Sequence, residues 1–471
     1  MVFSSNVFLI YFLPIFLMIY FISPKKWRNV VLLMFSLVFY AYGAPDFILL
    51  LVGSCVANFY LVKLMHKSKN KLTKKLYCAA AIIISLGLLI YYKYANFFVE
   101  NINHLLEAFG THTITFAKVL LPIGISFFTF QSITYVIDTY RGNNQPMDRL
   151  HDYVLYIMMF PQLIAGPIVR YCDIEQEIRH RNYDWNEALQ GFYRFIIGLS
   201  KKILISDVIG IQVDKMLAGD IAMMDSATAW ITIVGYTMQL YFDFSGYSDM
   251  AIGLGKMLGF TFLENFNYPY ISRSITDFWR RWHISLSSWF REYLYIPLGG
   301  NRNGALATYR NLLVVWLCTG FWHGASWNYI LWGLYYFVLL SLEKAFMGKV
   351  LSRVPRAIGH IYSLFFIIIG WLLFVSEDIG AGFIYLGNMF GNGAGAGLYG
   401  GEFLYQLLRN LPFIIILVLA STPMPKKIFW RLYEKSSSFR WIGSAVAAAL
   451  AVVCIAFLVD STYNPFLYFR F

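Results

Sequence analysis

The chain reads as an all-α polytopic membrane protein with about 11 transmembrane or re-entrant helices and amphipathic helices at a cytoplasmic surface. Three observations point there. Of 471 residues, 58% are hydrophobic and only 14% charged, with mean hydropathy +0.56, whereas soluble domains carry about 25% charged residues. Runs of roughly 18 or more residues without charge recur, each long enough to cross a ~30 Å hydrocarbon core. The net charge of +12 has an ordinary cause, because Lys and Arg collect in cytoplasmic loops, so no nucleic-acid partner is implied. An ordinary cytosolic enzyme and a disordered tail are excluded by the same composition.

The apolar runs fall in order at 7–22, 30–62, 77–92, 115–137, 153–168, 186–213, 226–242, 311–342, 357–376, 403–421 and 441–459. The first lacks a basic n-region before it and a small-residue cleavage site after it, so it is expected to be a retained span. Lys25, Lys26 and Arg28 form one basic cluster, and Lys63, Lys67, Lys69, Lys71, Lys74 and Lys75 form the next. Two short spans turning at Gly43-Ala44-Pro45-Asp46 put both clusters on one side. The loop after Lys93 carries Glu100 and Glu107 and almost no positive charge. This pattern places the N-terminus outside and the basic loops, including 170–181, 273–310, 344–356 and 426–440, in the cytoplasm. Residues 1–471 then form one integral membrane domain, with 460–471 a short extracytoplasmic tail. The Gly-rich stretch 391–401 lacks the Lys-Ser/Thr ending of a phosphate loop and reads as a mobile loop. Five scattered cysteines (Cys55, Cys78, Cys172, Cys318, Cys454) show no CxxC or Cys/His spacing, so no metal site is expected.

Two histidines stand apart. His323 lies in Gly-Phe-Trp-His-Gly (320–324), inside a run from Asn311 to Leu342 without Asp, Glu, Lys or Arg. An ionisable group at that depth is costly and marks a functional site or an aqueous path; the alternative is a neutral imidazole hydrogen-bonded within the bundle. His283 lies in the run Thr276–Ser287. Read as one helix, Thr276, Arg280, His283, Ser287 and Arg291 share a polar stripe, opposite Phe278, Trp282, Leu286, Trp289 and Tyr293. An interfacial helix anchored by Trp and snorkelling Arg explains the aromatics and arginines, but not a His with Ser on the polar stripe. Gln239 and Asp243 sit four apart on one helix face, placed either to orient a histidine and line a polar tunnel or to satisfy broken-helix backbone. Pro161 to Pro167 (PQLIAGP) reads as a re-entrant turn with a structural role. His66, His104, His112, His151, His180 and His360 lie in loops or at span edges and read as surface or structural.

With these segments in place, the chain resembles the membrane-bound O-acyltransferase (MBOAT) superfamily, and within it the branch of bacterial alginate and peptidoglycan O-acetyltransferases. The resemblance is carried by MVFSSN (1–6), LLPIGISF (120–127), FPQLIAGPI (160–168), YFDFSGYSDMAIG (241–253), FWRRWHISLS (278–287), YIPLGGNR (295–302) and FWHGASWN (321–328), in that order. It implies an MBOAT-type fold in a bacterial inner membrane, and acetyl transfer from cytoplasmic acetyl-CoA to a cell-envelope polysaccharide, with no bound cofactor. His323 matches the invariant histidine of the superfamily and His283 its second essential position. His323 would serve as general base, since an imidazole pKa near 6.5 suits proton removal at neutral pH. His283 would position the thioester or stabilise the oxyanion. Arg280, Arg281, Arg291 and Arg302 would attract the polyanionic end of CoA, with Ser287, Asp243 and Asn328 completing the expected donor- or substrate-binding set. No nucleophile triad is evident, and the scattered cysteines argue against a cysteine-linked intermediate.

The chain ends Asn-Pro-Phe-Leu-Tyr-Phe-Arg-Phe (464–471), which resembles an aromatic C-terminal motif of envelope acyl-transfer systems in Gram-positive bacteria. The resemblance implies that Tyr468 carries the acyl group to an extracytoplasmic serine-hydrolase-like (SGNH) acetyltransferase. A phenol near pKa 10 forms a more activated ester than an alkyl alcohol does; the alternative is an aromatic anchor at the interface. Other readings are a transporter or flippase of an envelope precursor, a catalytically idle scaffold, and the same enzyme class using a D-alanyl or longer acyl donor.

Overall fold

The computed structural model of the chain describes residues 1–392 and 401–460. Most of the Gly-rich stretch 391–401, and Tyr468 with the rest of 461–471, lie outside the described residues. Every regular element among the described residues is helical. Among the described residues, five helices are long and apolar enough to cross a membrane: Pro45–Lys67, Lys71–Ala108, Trp327–Leu351, Arg356–Val375 and Ser438–Asp460. A sixth candidate is the pair Leu407–Ala420 and Met424–Lys435, bent by 67°. About half of the expected 11 segments therefore meet this measure. The others are shorter, such as Val7–Ile22 and Ile379–Met389, or are broken and rich in buried polar side chains.

The chain divides into two compact units, residues 1–195 with 250–263, and residues 196–249 with 264–471. In the first unit, Phe8, Phe12 and Phe16 recur every four residues and present one aromatic face. Phe12 and Phe16 meet Phe160 edge-on, at centroid separations of 5.4 and 5.1 Å. The expected turn at 161–167 is present. Helix Leu150–Met158 ends, and Phe160–Leu163 begins with Pro161 in its first turn, where the missing N–H costs nothing. The freed Phe160 N–H donates to Ser36 Oγ at 3.1 Å. A broken helix in an apolar setting needs such a neighbouring partner.

In the second unit, Gly304–His323 and Trp327–Leu342 form a helical hairpin. Gly320 lies against the Tyr329 carbonyl and Gly333 against the Trp316 carbonyl, so a methyl at either position would overlap backbone. This close approach sets where His323, the last residue of its helix, comes to rest. Glu343 is 6% exposed and accepts from the N–H groups of Ile275 and Thr276 at 2.6 and 2.8 Å, and from Thr276 Oγ1 at 2.6 Å. A buried carboxylate on the first amides of Ile275–Trp279 satisfies donors that the short helix cannot.

Gly333→Ala is expected to lower the thermal midpoint of the purified protein, because overpacking of this kind costs about 1–3 kcal/mol. Gly53→Ala, in a helix with open space beside it, should leave the midpoint unchanged or raise it. Thermal unfolding followed by tryptophan fluorescence distinguishes the two.

Candidate active site

The segment expected as one amphipathic helix is instead broken. Helix Ile275–Trp279 ends, and Ile284–Phe290 starts with His283 as its N-cap residue at φ 45°, ψ 53°. A non-glycine residue in the left-handed region costs of order 1–3 kcal/mol and persists only where surroundings impose it. Here the backbone is clamped on both sides: Ile284 N–H donates to Asn265 O, and Asn267 N–H to Arg281 O, each at 2.9 Å. The expected polar stripe is accordingly not a face. His283 is 1% exposed, Ser287 is half-buried, and Arg280 and Arg291 point to the surface. The opposite residues Phe278, Trp282, Leu286, Trp289 and Tyr293 are buried.

Asn265 determines the protonation of His283. Its Oδ1 accepts from the Ser285 N–H at 3.3 Å and from Ser285 Oγ at 2.8 Å, while its Nδ2 donates to Ser248 Oγ at 3.0 Å. A backbone N–H can only donate, so the amide atom facing it is oxygen. His283 Nδ1, 3.1 Å from that oxygen, must therefore carry the proton, which leaves Nε2 as an acceptor. Nε2 is buried without a hydrogen-bond partner among the described residues. Burial pushes the imidazole pKa down to about 3, so the ring is neutral at physiological pH.

His323 is 7% exposed and walled by aromatic rings, with Trp322, Trp332 and Phe374 at centroid distances of 5.0, 5.0 and 5.3 Å. Together with Asp243, Phe244, Trp282 and Trp371 it lines a cavity of about 20 Å³, room for about one water. Phe244 also packs edge-on against His283 at 4.8 Å, and Trp322 lies 5.8 Å from the same ring. The two histidines thus share two aromatic neighbours.

Asp243 belongs to a buried charge cluster. Lys202 Nζ lies 2.9 Å from its Oδ1 and 2.5 Å from Asp207 Oδ1, with side-chain exposures of 1%, 1% and 9% for Lys202, Asp243 and Asp207. Lys201 pairs with Asp249 at 2.7 Å, so the π-helical segment Lys201–Asp207 is tied to helix Ser226–Met257 by two lysines in succession. Asp243 and His323 line the same cavity. Asn328 is buried and donates to the Phe374 carbonyl at 3.1 Å, which fixes a wall of the cavity. Arg281 is taken up by Asp277 at 2.9 Å. No arginine lines the cavity; Arg280, Arg291 and Arg302 are exposed.

Asn265, Lys202 and Asp207 are the site residues that sequence reasoning missed. Lys202 and Asp207 fall within the run 186–213, and their opposite charges five residues apart were the available signal. Among the described residues, no group of three or more His, Cys, Asp or Glu side chains is placed to hold a metal ion.

Residues 147–379 match the family model of MBOAT, the membrane-bound O-acyltransferase family. A probable alginate O-acetylase of Pseudomonas aeruginosa is 44% identical over 380 residues, covering 80% of this chain and 73% of the relative. The corresponding Pseudomonas putida protein is 38% identical over 494 residues, covering 100% of both chains. A peptidoglycan O-acetyltransferase of Helicobacter pylori is 35% identical over 531 residues, covering 100% of this chain and 98% of the relative. Matches of this extent, on a helical chain with several apolar spans and two buried motif histidines, mean that the chain belongs to the membrane-bound O-acyltransferase family.

Proposed function

We propose that this O-acyltransferase takes acetyl from cytoplasmic acetyl-CoA and passes it across the bacterial inner membrane for O-acetylation of a cell-envelope polysaccharide. The observation that carries the reading is the small aromatic-walled cavity that His323 and Asp243 both line. In the proposed step the acceptor oxygen attacks the thioester carbonyl, the C–O bond forms and the C–S bond breaks. The hydroxyl proton passes to His323 and then to the leaving thiolate, so the histidine is regenerated. His283 offers an acceptor at Nε2, which orients a hydroxyl more readily than it stabilises an oxyanion. Positioning is therefore the favoured one of its two expected roles. Exposed Arg280, Arg291 and Arg302 draw in the phosphates of CoA. Acetyl is favoured over D-alanyl because relatives that align over most of this chain are named for O-acetyl transfer. Tyr468 is the proposed carrier on the outer side, delivering to a serine-hydrolase-like partner.

Purified protein in lipid, given radiolabelled acetyl-CoA and no acceptor, tests this reading. Wild type should release CoA and retain label. His323→Ala should lose at least about 100-fold in release, the lower end of general-base effects, and Tyr468→Phe should abolish retained label. Label retained equally by Tyr468→Phe would reduce the tyrosine to an anchor, and equal release by His323→Ala would remove the assigned base. Charge neutralisation by Arg280→Gln with Arg291→Gln should raise KM for acetyl-CoA several-fold at low salt, with kcat little changed. That difference should shrink as ionic strength rises.

A further inference from the structure

A cavity of about 660 Å³ lies in the first unit and takes no part in the proposed reaction. Six Lys and Arg residues line it (Lys25, Lys26, Arg28, Arg149, Arg179 and Arg181), against Asp148 and Asp152. The acids are already engaged. Arg179 holds Asp148 at 2.9 Å, and Asp152 accepts from Asn29 at 3.1 Å with His151 at 3.5 Å. The other five cations have no ion pair among the described residues.

Two of them are held in place. The Arg28 guanidinium sits over the rings of Tyr20, Phe21 and Tyr183 at 5.4, 5.7 and 5.8 Å. Arg181 lies over Phe260 at 4.4 Å and donates through Nη2 to Asn29 Oδ1. Among the described residues, Arg181 Nη1 is buried with no hydrogen-bond partner, as is the Tyr183 hydroxyl. Burial, and after it the neighbouring charge of Arg28, holds the Arg181 guanidinium below its usual range. A merely solvated basic loop would separate such groups. Here stacking fixes two cations near each other, with unused donors at a concave surface.

We propose that this cavity binds a phosphate-bearing ligand gripped between Arg28 and Arg181. Guanidinium groups match the paired oxygens of a phosphate in a planar, bidentate geometry, and stacking has already removed much of their rotational freedom. The volume lies within the range of small-molecule sites, about 300–1,000 Å³, and exceeds what a bare phosphate fills. The ligand is thus a phosphate attached to a larger body, either the headgroup of an anionic lipid or a soluble phosphate ester.

The test uses the full chain, delipidated in dodecyl maltoside, with its thermal midpoint followed against two probes. One probe is inorganic pyrophosphate at constant ionic strength. The other is phosphatidylglycerol doped into the micelles, with phosphatidylcholine as control. A saturable rise with either probe is expected, weakened at least about tenfold in Arg28→Gln and Arg181→Gln and unchanged in Lys71→Gln with Lys75→Gln. A rise with phosphatidylglycerol alone assigns the site to a lipid headgroup; a rise with pyrophosphate assigns it to a soluble ester. Should the arginine variants fail to purify as single species, the exposed pair Lys26→Gln with Arg149→Gln must show the same weakening. No rise with either probe, or equal weakening by the Lys71 and Lys75 pair, overturns the proposal.

Discussion

A lysine ammonium buried between two carboxylates is the interaction on which the reaction centre depends. Lys202, Asp207 and Asp243 are all shielded from solvent, and removing Lys202 would leave two carboxylates without their shared counter-charge in an apolar interior. Losing one member of such a cluster typically costs about 3–5 kcal/mol, although the intact cluster need not stabilise the fold relative to apolar replacements. Its consequence is positional. Lys202 fixes Asp243 on helix Ser226–Met257, and Asp243 is the carboxylate that faces the His323 cavity. Departures from α-geometry concentrate nearby. Of the five π-helical segments among the described residues, Lys201–Asp207 carries the lysine, Arg291–Tyr295 follows the His283 helix and Glu343–Met347 starts at the capping carboxylate. Such insertions are frequent where a helix is bent to serve a site.

The two histidines reach burial by different means. His323 is delivered by a helical hairpin whose glycines permit backbone contact, so its position follows from packing. His283 occupies a left-handed backbone position fixed by hydrogen bonds donated to Asn265, so its position and tautomer follow from polar contacts. Aromatic rings wall both. The result is a small, mostly apolar space with one carboxylate and one imidazole at its wall, and a second imidazole a ring away. That composition suits proton transfer from a hydroxyl to a base during acyl transfer.

Much of this was legible in the sequence. A charged-residue content of 14% dictates burial in lipid, and His323 stands out because an ionisable side chain in a charge-free run is costly there unless it does chemistry or meets water. The glycines beside it signalled close backbone approach, although Gly333, which does as much, carried no such flag. What the sequence hid was non-local or broken. A helical reading of 276–291 could not show that Asn265, eighteen residues before His283, would interrupt it. Lys202 and Asp207 lie five residues apart, but their third partner, Asp243, is 41 residues from the lysine. The bond from Asn328 to the Phe374 carbonyl, 46 residues on, was equally hidden. The span count diverged because the run at 115–137 is irregular until helix Ile125–Arg141 begins, and the run at 153–168 is broken between Leu150–Met158 and Phe160–Leu163.

If acetyl esters are made on an envelope polymer through the His323 cavity, the polymer itself records it. The most direct test is the alkali-labile acetate on purified envelope polysaccharide, measured in cells lacking the chain and complemented with wild type or with His323→Asn. Membrane levels of the two proteins must be matched by immunoblot. Wild type should restore polymer acetate, and His323→Asn should leave it at the level of the uncomplemented cells. Full restoration by His323→Asn would contradict the assigned chemistry, and would leave the chain a scaffold for acetylation done elsewhere.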